Sequence, residues 1–322
     1  MTQPNWTVET RKVTVAEFVR EGRDALDLQW EANEEAAEGR PIPELALNRP
    51  GLALAGFTRY FARRRIQVFG LAEHHYLQSL SQRTRLERLQ PLVHRNFPPA
   101  IVLARGRRLP AYLRSAVRRV RIPLLRTGMV TGHFMNAATL LLQSIAAPRI
   151  RAAGTMLVIK GVGVLLEGPP GIGKSEIALA LIERGHSLVA DDTVILRRTS
   201  PREIVADPVA ITKAHMEIRG IGIISVPSLF GVGAIRESTR LDLIIRMQRP
   251  QDGGDLDRTG LDRKTRDVMG VPIPLITVPV AAGRDLTHVV EVAALNQRLH
   301  AMGYDAARAL DERLMALFAS KT

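Results

Sequence analysis

The sequence contains no cysteine in its 322 residues, and aromatic residues make up only 4% of it. The absence of cysteine excludes disulfide bonds, thiolate catalysis and cysteine-based metal sites. No apolar stretch approaches the ~20 residues that a transmembrane helix needs, and the N-terminus lacks the basic and apolar segments of a secretion signal. These absences predict a soluble, cytoplasmic protein with no membrane partner.

Lysine is scarce as well, since only six of the 45 basic residues are lysines, although the net charge is +13. Residues 101–150 contain nine arginines and no acidic residue. A nucleic-acid surface, an acidic protein partner and simple solvated arginines are three interpretations of this charge. The shortage of aromatic residues argues against stacking on single strands, and a nucleic-acid surface is less favoured than simple solvated arginines.

What the sequence does contain is a phosphate-binding pattern. Residues 168–175 fit G-x-x-x-x-G-K-[ST], the P-loop. The glycines allow the backbone N–H groups to face phosphate oxygens, Lys174 brings a positive charge, and Ser175 offers a hydroxyl to Mg²⁺. The eight predicted nucleotide-binding residues are Gly168, Pro169, Pro170, Gly171, Ile172, Gly173, Lys174 and Ser175.

The residues around this motif support the interpretation. Residues 156–160 and 161–166 are short, apolar and rich in β-branched side chains, which predicts two strands before the loop. Residues 175–184 have helical spacing of apolar side chains, and Gly185 stands where a C-terminal cap is expected. The order strand, glycine loop, helix is the order that nucleotide phosphate binding requires.

The chain is long enough for two domains. Strands and helices alternate before residue 150, which predicts an N-terminal α/β layered domain. We predict this domain at residues 1–150 and a catalytic domain, which contains the glycine motif, at 151–322. A strand at residues 273–280 carries two prolines and is predicted to lie at a sheet edge.

Acidic side chains follow the motif closely. Asp191 and Asp192 interrupt an apolar stretch at residues 188–196 that otherwise predicts one strand. In a strand, two neighbouring carboxylates point to opposite sides, so one could reach Mg²⁺ through water while the other accepts a hydroxyl proton. A turn at this pair remains the alternative. Glu217 is a second metal candidate, and Arg258 lies in a Gly/Asp-rich loop from which an arginine could reach a transferred phosphate.

These residues resemble the HPr kinase/phosphorylase family, bacterial enzymes that phosphorylate a serine of the phosphocarrier HPr. The N-terminal half matches in residues 49–56, 65–70 and 122–125. The matching stretches of the C-terminal half are residues 161–165, 168–175, 184–192, 217–224, 229–237, 257–258, 276–280 and 291–296.

The resemblance implies a fold, a set of roles and a partner. The C-terminal domain would be a P-loop kinase domain related to phosphoenolpyruvate carboxykinase, and the protein a homohexamer that uses ATP and Mg²⁺. Lys174 would hold the terminal phosphates, Ser175 and Glu217 would serve Mg²⁺, and Arg258 would stabilise the transferring phosphate. Asp192, with Asp191 beside it, would exchange the proton of the HPr serine.

The sequence departs from the family pattern at two places. The family has His-Gly before the strand that leads to the P-loop, and this chain has Ala153 and Gly154. The loop implied in dephosphorylation often carries a lysine, and this chain has Ala-Ala-Gly-Arg at 281–284. We therefore predict that reverse phosphorolysis to pyrophosphate is weaker than the kinase reaction or absent.

Two other functions remain open at this stage. One is a kinase of the same family whose acceptor is not HPr. The other, from a different class, is a regulatory ATPase that binds nucleic acid through the arginine-rich residues 101–150.

Overall fold

The computed structural model describes residues 6–10, 12–93, 97–109, 111–249, 264–281 and 285–319. The chain divides into two compact units, with the boundary between Ala147 and Pro148. Residues 6–9 belong to the C-terminal unit, where Glu9 and Arg149 exchange backbone hydrogen bonds of 2.8 and 3.2 Å. Within the described ranges, no helix combines the length and the apolar composition needed to cross a bilayer.

The N-terminal unit is a five-stranded sheet in the order β1-β5-β4-β3-β2, in which β2 to β5 are parallel and β1 is antiparallel to β5. The strands are β1 (Leu28–Ala32), β2 (Leu47–Asn48), β3 (Ile66–Phe69), β4 (Ile101–Leu103) and β5 (Leu124–Thr127). The helices are α1 (Val15–Gly22), α2 (Gly51–Leu54), α3 (Leu71–Ser79), α4 (Gln82–Leu89), α5 (Ala111–Arg119) and α6 (Thr131–Ala146).

This sheet is covered on both faces, which explains why every residue of its central strands β3 and β4 is buried. In β4, Val102 packs into a core with α1 and α6, whereas Ile101 and Leu103 pack into a second core with the helices between β2 and β5. The predicted α/β layering of the N-terminal half is therefore confirmed.

The C-terminal unit contains a six-stranded sheet in the order β16-β17-β15-β8-β7-β9, a four-stranded sheet in the order β14-β11-β10-β6 and the hairpin β12-β13. The first strands are β6 (Arg149–Ala153), β7 (Thr155–Ile159), β8 (Val162–Glu167), β9 (Ser187–Ala190), β10 (Thr193–Ser200) and β11 (Glu203–Pro208). The later strands are β12 (His215–Ile218), β13 (Gly222–Ser225), β14 (Thr239–Arg240), β15 (Leu243–Gln248), β16 (Thr265–Val268) and β17 (Val271–Pro279). The helices are α7 (Lys174–Glu183), α8 (Val226–Phe230), α9 (Leu286–Ala301) and α10 (Ala306–Ala319).

Two apolar layers hold this unit together. Val164 and Leu166 of β8 pack against α7 and α9, whereas Leu165 between them packs against side chains of the four-stranded sheet. The six-stranded sheet thus lies between helices and a second sheet. The strands predicted at 156–160 and 161–166 are confirmed as β7 and β8.

Two details of the prediction are wrong. The single strand predicted at residues 188–196 is two strands, because β9 ends at Ala190 in one sheet and β10 begins at Thr193 in the other. The strand predicted at an edge, β17, lies between β16 and β15. Its prolines are tolerated because its first four residues pair only with β16 and its last five only with β15.

Candidate functional site

The candidate site lies where β8 ends and α7 begins. The connection, residues 168–173, is called the glycine loop below. Gly168, Gly171 and Gly173 have φ angles of 157°, 73° and 101°, and a Cβ on Gly168 would lie 2.8 Å from the backbone oxygen of Met247. The positive φ angles at Gly171 and Gly173 favour glycine, and the close approach of Met247 requires it at Gly168. The loop conformation therefore follows directly from the motif.

Lys174 is the first residue of α7, and its ammonium group folds back over the loop. Its Nζ donates hydrogen bonds to the backbone oxygens of Gly168 at 3.0 Å and Pro169 at 3.3 Å. Gly173, at the N-cap of α7, provides no side-chain hydrogen bond to the first turn. The helix thus begins with unsatisfied N–H groups and a cation at the same place, which favours an anion.

A cavity of about 230 Å³ opens on this helix start. It is lined by Pro170, Gly171, Gly173, Lys174, Ser175, Glu176, Asp192, Glu217 and Arg219. The Arg219 guanidinium is exposed and makes no ion pair within the described part of the chain. It approaches to 3.0 Å of the position that a Cβ on Gly171 would take. Two cations, Lys174 and Arg219, therefore face the cavity. Arg219 has no pattern in the sequence that singled it out.

Asp191 is buried, with 6% of its surface exposed. Its carboxylate accepts hydrogen bonds from the Thr155 hydroxyl at 2.7 Å and from the Ser175 hydroxyl at 3.2 Å. Burial raises the pKa of the Asp191 carboxyl above its ordinary value, and the adjacent Asp192 adds to that rise, while the two hydroxyls oppose it. Asp191 therefore holds Ser175 in place, and Thr155 in turn holds Asp191. Nothing in the sequence pointed to Thr155.

Asp192 is exposed and lies in the connection between β9 and β10 with a φ of 61°. Its backbone oxygen accepts a hydrogen bond from Gly154 N at 2.9 Å, which ties the connection to the end of β6. The alternation argument for the two aspartates is therefore wrong, because neither lies in a strand. Their side chains still differ in environment, since one is buried and the other faces open space.

A second cavity, of about 460 Å³, adjoins the first. Its lining includes Asp191, Asp192, Glu217, His215, Ile223 and Arg151. Asp192 and Glu217 line both cavities, so the two spaces meet at these carboxylates. Glu217 reaches this position from β12, one strand of the hairpin, where it stands opposite Ile223.

Arg151 is a further residue that the sequence did not reveal. It lies on β6, two residues before Ala153, and both side chains are exposed on the same face of the strand. No described residue forms an ion pair or side-chain hydrogen bond with Arg151. An unpaired guanidinium thus shares the larger cavity with the two aspartates.

A buried ion pair supports the start of the glycine loop. Glu167, the residue before Gly168, accepts two hydrogen bonds from Nη1 of Arg266, and both side chains are buried. The Arg266 guanidinium also lies 5.3 Å from the ring centroid of Trp6. The ion pair joins β8 to β16 and fixes the point from which the loop departs.

Arg258 and residues 282–284, which the sequence analysis singled out, lie outside the described residues. His186, just after α7, is buried and contacts Glu291 of α9 at 3.0 Å, so it joins the end of α7 to α9.

The oxygen groups around Ser175 suit Mg²⁺. Within the described ranges, no three His, Asp or Glu side chains form a metal cage of their own. Mg²⁺ does not need one, because it commonly takes one or two protein oxygens and completes its shell with phosphates and water. The Ser175 hydroxyl, held by Asp191, and the Glu217 carboxylate lie on the same cavity and provide such oxygens.

Comparisons with known proteins cover almost the whole chain. Residues 13–142 match the family model "HPr Serine kinase N terminus", and residues 144–314 match "HPr Serine kinase C-terminal domain". The chain is 40% identical to an HPr kinase/phosphorylase of Caldicellulosiruptor bescii over 94% of its own length and 95% of that protein. It is 37% identical to an HPr kinase/phosphorylase of Chloroherpeton thalassium over 98% and 92% of the two chains. The HPr(Ser) kinase/phosphatase structure from Coxiella burnetii matches with 35% identity and a TM-score of 0.45, over 50% of this chain and 97% of that one.

Proposed function

This chain belongs to the HPr serine kinase family, and on that basis we propose that it transfers the terminal phosphoryl group of ATP to a serine of HPr. The C-terminal unit would carry the reaction. Its six-stranded sheet and glycine loop would correspond to the P-loop kinase domain, related to phosphoenolpyruvate carboxykinase, that the resemblance implies.

The observation that carries this proposal is the meeting of two cavities at Asp192 and Glu217. The smaller cavity has the glycine loop, Lys174 and a helix N-terminus, which suit the phosphates of a nucleotide. The larger one is wide enough for a side chain of a second protein. A group placed at the junction can act on both substrates at once.

Each residue at the junction then has a role. The loop N–H groups and Lys174 hold the β- and γ-phosphates, and the hydrogen bonds that Lys174 now makes to the loop oxygens would yield to them. Asp192 accepts the proton of the attacking serine hydroxyl, since it is exposed to both cavities. Asp191 orients Ser175. Arg258 would stabilise the transferring phosphate.

Ser175 and Glu217 would hold Mg²⁺ with the nucleotide. The bound metal ion would neutralise charge that develops on the phosphate oxygens. Asp191 supports metal binding indirectly, because its hydrogen bonds with Thr155 and Ser175 fix the direction of the serine hydroxyl.

We propose in addition that the reverse reaction, attack of inorganic phosphate on phosphoserine to release pyrophosphate, is weak. Ala153 stands opposite Thr193, the residue that follows Asp192, so this position borders the proton acceptor and offers no donor. Replacing Ala153 with His should raise pyrophosphate release from phosphorylated HPr at least severalfold. A rate equal to that of the unmodified protein would contradict the assignment.

Assembly into a cytoplasmic homohexamer is part of the proposal. Four apolar side chains of α9 and its C-terminal end remain exposed in the single chain, Val292, Leu295, Leu299 and Met302. Exposed apolar rows of this kind are typical of surfaces that another chain covers.

The deciding experiment is ³²P transfer from labelled ATP to purified HPr of the same organism. Lys174→Ala and Asp192→Asn should each abolish the label, whereas Asp311→Asn, at an exposed position of α10, should keep it. An HPr with alanine at the acceptor serine tests the serine. Label on another bacterial protein but not on HPr would favour a family kinase with a different acceptor.

A further inference from the structure

A third cavity, of about 480 Å³, is lined wholly by residues of the N-terminal unit, to which the kinase proposal assigns no task. Its walls come from the segments that follow β2, β3, β4 and β5, and each supplies a residue: Arg49, Leu71, Arg105 and Thr131. Because these four strands are parallel, their carboxyl ends meet at one edge. That edge is where open α/β sheets bind ligands.

Two arginines face this cavity. Arg105 is exposed, and its guanidinium has no ion-pair or hydrogen-bond partner in the described part of the chain. Arg49 is held rigidly, because its Nε and Nη2 donate to the carboxylate of Glu73 at 3.1 and 2.9 Å. Glu73 is itself buried and accepts a hydrogen bond from Gly70 N at 2.9 Å. Arg49 therefore presents its Nη1 in a fixed orientation.

Thr131 supplies an independent observation. Only 9% of its surface is exposed, it lines the cavity, and its hydroxyl has no hydrogen-bond partner among the described residues. The hydroxyl is therefore free at the cavity surface, where it can donate a hydrogen bond to a ligand oxygen. Thr131 also begins α6, a helix of 16 residues whose N-cap, Val130, provides no side-chain hydrogen bond. The first N–H groups of α6 therefore favour an anion at the same place.

We infer that this cavity binds a small phosphomonoester with an apolar body. Donors from Arg49, Arg105 and Thr131 come from three different segments, which suits the three oxygens of a tetrahedral phosphate better than the two oxygens of a planar carboxylate. The wall formed by Leu71, Ala72 and Val130 suits an apolar body. The cavity volume falls within the range of roughly 300–1,000 Å³ that is common for small-molecule sites.

The test is hydrogen–deuterium exchange of the full-length protein, read by mass spectrometry, with phenyl phosphate as the probe. Mg²⁺ and a non-hydrolysable ATP analogue are present throughout, so that the glycine loop is already occupied. Phenyl phosphate should slow exchange in residues 70–75 and 129–134, inorganic phosphate should do so only at higher concentration, and benzoate at equal ionic strength should have no effect.

Two variants locate the site. Arg105→Ala should weaken phenyl phosphate binding about tenfold, because a charge-assisted hydrogen bond is lost. Arg105 already has a φ of 59°, so alanine adds no backbone strain. Thr131→Val should weaken binding severalfold at unchanged volume. Arg118→Ala, an exposed arginine of α5 that does not line the cavity, is the matched control and should bind normally.

Equal affinity in Arg105→Ala and the unmodified protein would overturn the inference, as would equal protection by benzoate or protection confined to residues 168–175. These readouts do not involve phosphoryl transfer. Their failure would therefore leave the kinase proposal intact, and loss of ³²P transfer would leave this one intact.

Discussion

Single residues decide most of the chemistry at the candidate site, and Arg151 is the one whose effect is easiest to isolate. It is unpaired, exposed and set on the larger cavity, where the acceptor protein would bind. Arg151→Ala should raise the KM for HPr about tenfold and leave the KM for ATP unchanged, because the lost hydrogen bond is charge-assisted. Steady-state kinetics with each substrate varied in turn measures both values.

Arg151→Lys should recover part of the loss, since the positive charge returns without the planar fork. Arg202→Ala, an exposed arginine in the turn between β10 and β11, serves as the control. If Arg202→Ala raised the KM for HPr as much as Arg151→Ala, general attraction between the proteins would explain the result instead.

At this scale the motif residues have a local pattern in the sequence, and their neighbours do not. Lys174, Ser175, Asp192 and Glu217 do line one cavity, as the spacing and the resemblance suggested. Thr155 and Arg151 could not be predicted, because their importance depends on strand pairing between β6, β7, β9 and β10. A threonine in an apolar strand and one arginine among 39 have no distinguishing local pattern.

Among the elements, β8 carries the glycine loop, and its end depends on the ion pair of Glu167 with Arg266. Arg266→Met should lower the free energy of unfolding by about 3–5 kcal/mol, because it leaves a buried carboxylate without its partner. The double variant Glu167→Leu with Arg266→Met should restore most of that loss, since no buried charge remains. Urea unfolding followed by circular dichroism measures all three proteins. A single variant as stable as the unmodified protein would show that the pair is not buried in solution.

The junction of α7 and α9 should respond to pH. The hydrogen bond from His186, the charges of His186 and Lys160 and a hydrogen bond from Arg184 lower the pKa of Glu291 below its ordinary value. A carboxyl with a lowered folded-state pKa stabilises the protein above its unfolded-state pKa, and this contribution disappears as the pH falls through the folded-state value. Glu291→Gln should therefore be less stable than the unmodified protein at pH 7, by no more than about 1 kcal/mol for so solvated a group.

The same difference should decrease as the pH falls below the ordinary range of a glutamate carboxyl, and it should vanish once the native carboxyl is protonated. Urea unfolding at several pH values measures the difference. Glu183→Gln changes an exposed glutamate of α7 that makes no ion pair within the described ranges, and its difference should not depend on pH. A constant deficit of Glu291→Gln at every pH would show that the charge of Glu291 is irrelevant to stability.

Element boundaries show where prediction from sequence stops. The helix after the glycine loop was predictable, because apolar spacing and glycine at both ends act locally. The break at Asp191 was only the alternative to a single strand, because β9 and β10 are both apolar and only their different sheets separate them. The position of β17 was equally hidden, since the strand pairs by halves and each of its prolines has a neighbouring strand on one side only.

For the whole molecule, the arginine-rich residues 101–150 are partly accounted for by internal pairing. Arg108, Arg114 and Arg126 lie 3.4, 3.7 and 2.8 Å from the carboxylate of Glu31, whose side chain is 7% exposed. Charge counted along the chain therefore overstates the charge that is free for a partner. No observation favours nucleic acid over the kinase proposal.

The oligomeric state of the whole molecule can be tested on α9. If the exposed apolar row on α9 joins subunits, Leu299→Lys should lower the mass observed by sedimentation velocity, while the circular dichroism spectrum stays unchanged. Glu183→Lys, a charge change at an exposed position of α7, is the control. Glu176→Lys would not serve, because Glu176 lines the smaller cavity. An unchanged mass for Leu299→Lys would place the contacts between subunits elsewhere.

The connection at Asp191 and Asp192 has one more consequence. The proposed proton acceptor, Asp192, lies where the chain passes from one sheet into the other. Its position relative to the glycine loop therefore depends on the packing of the apolar layer between the two sheets. Truncating a buried side chain of that layer, such as Val194, should loosen this alignment although Val194 itself lines neither cavity. The variant would then lose turnover on warming, several degrees below its unfolding temperature. The temperature limit of catalysis would be set by the packing between the two sheets and not by global unfolding.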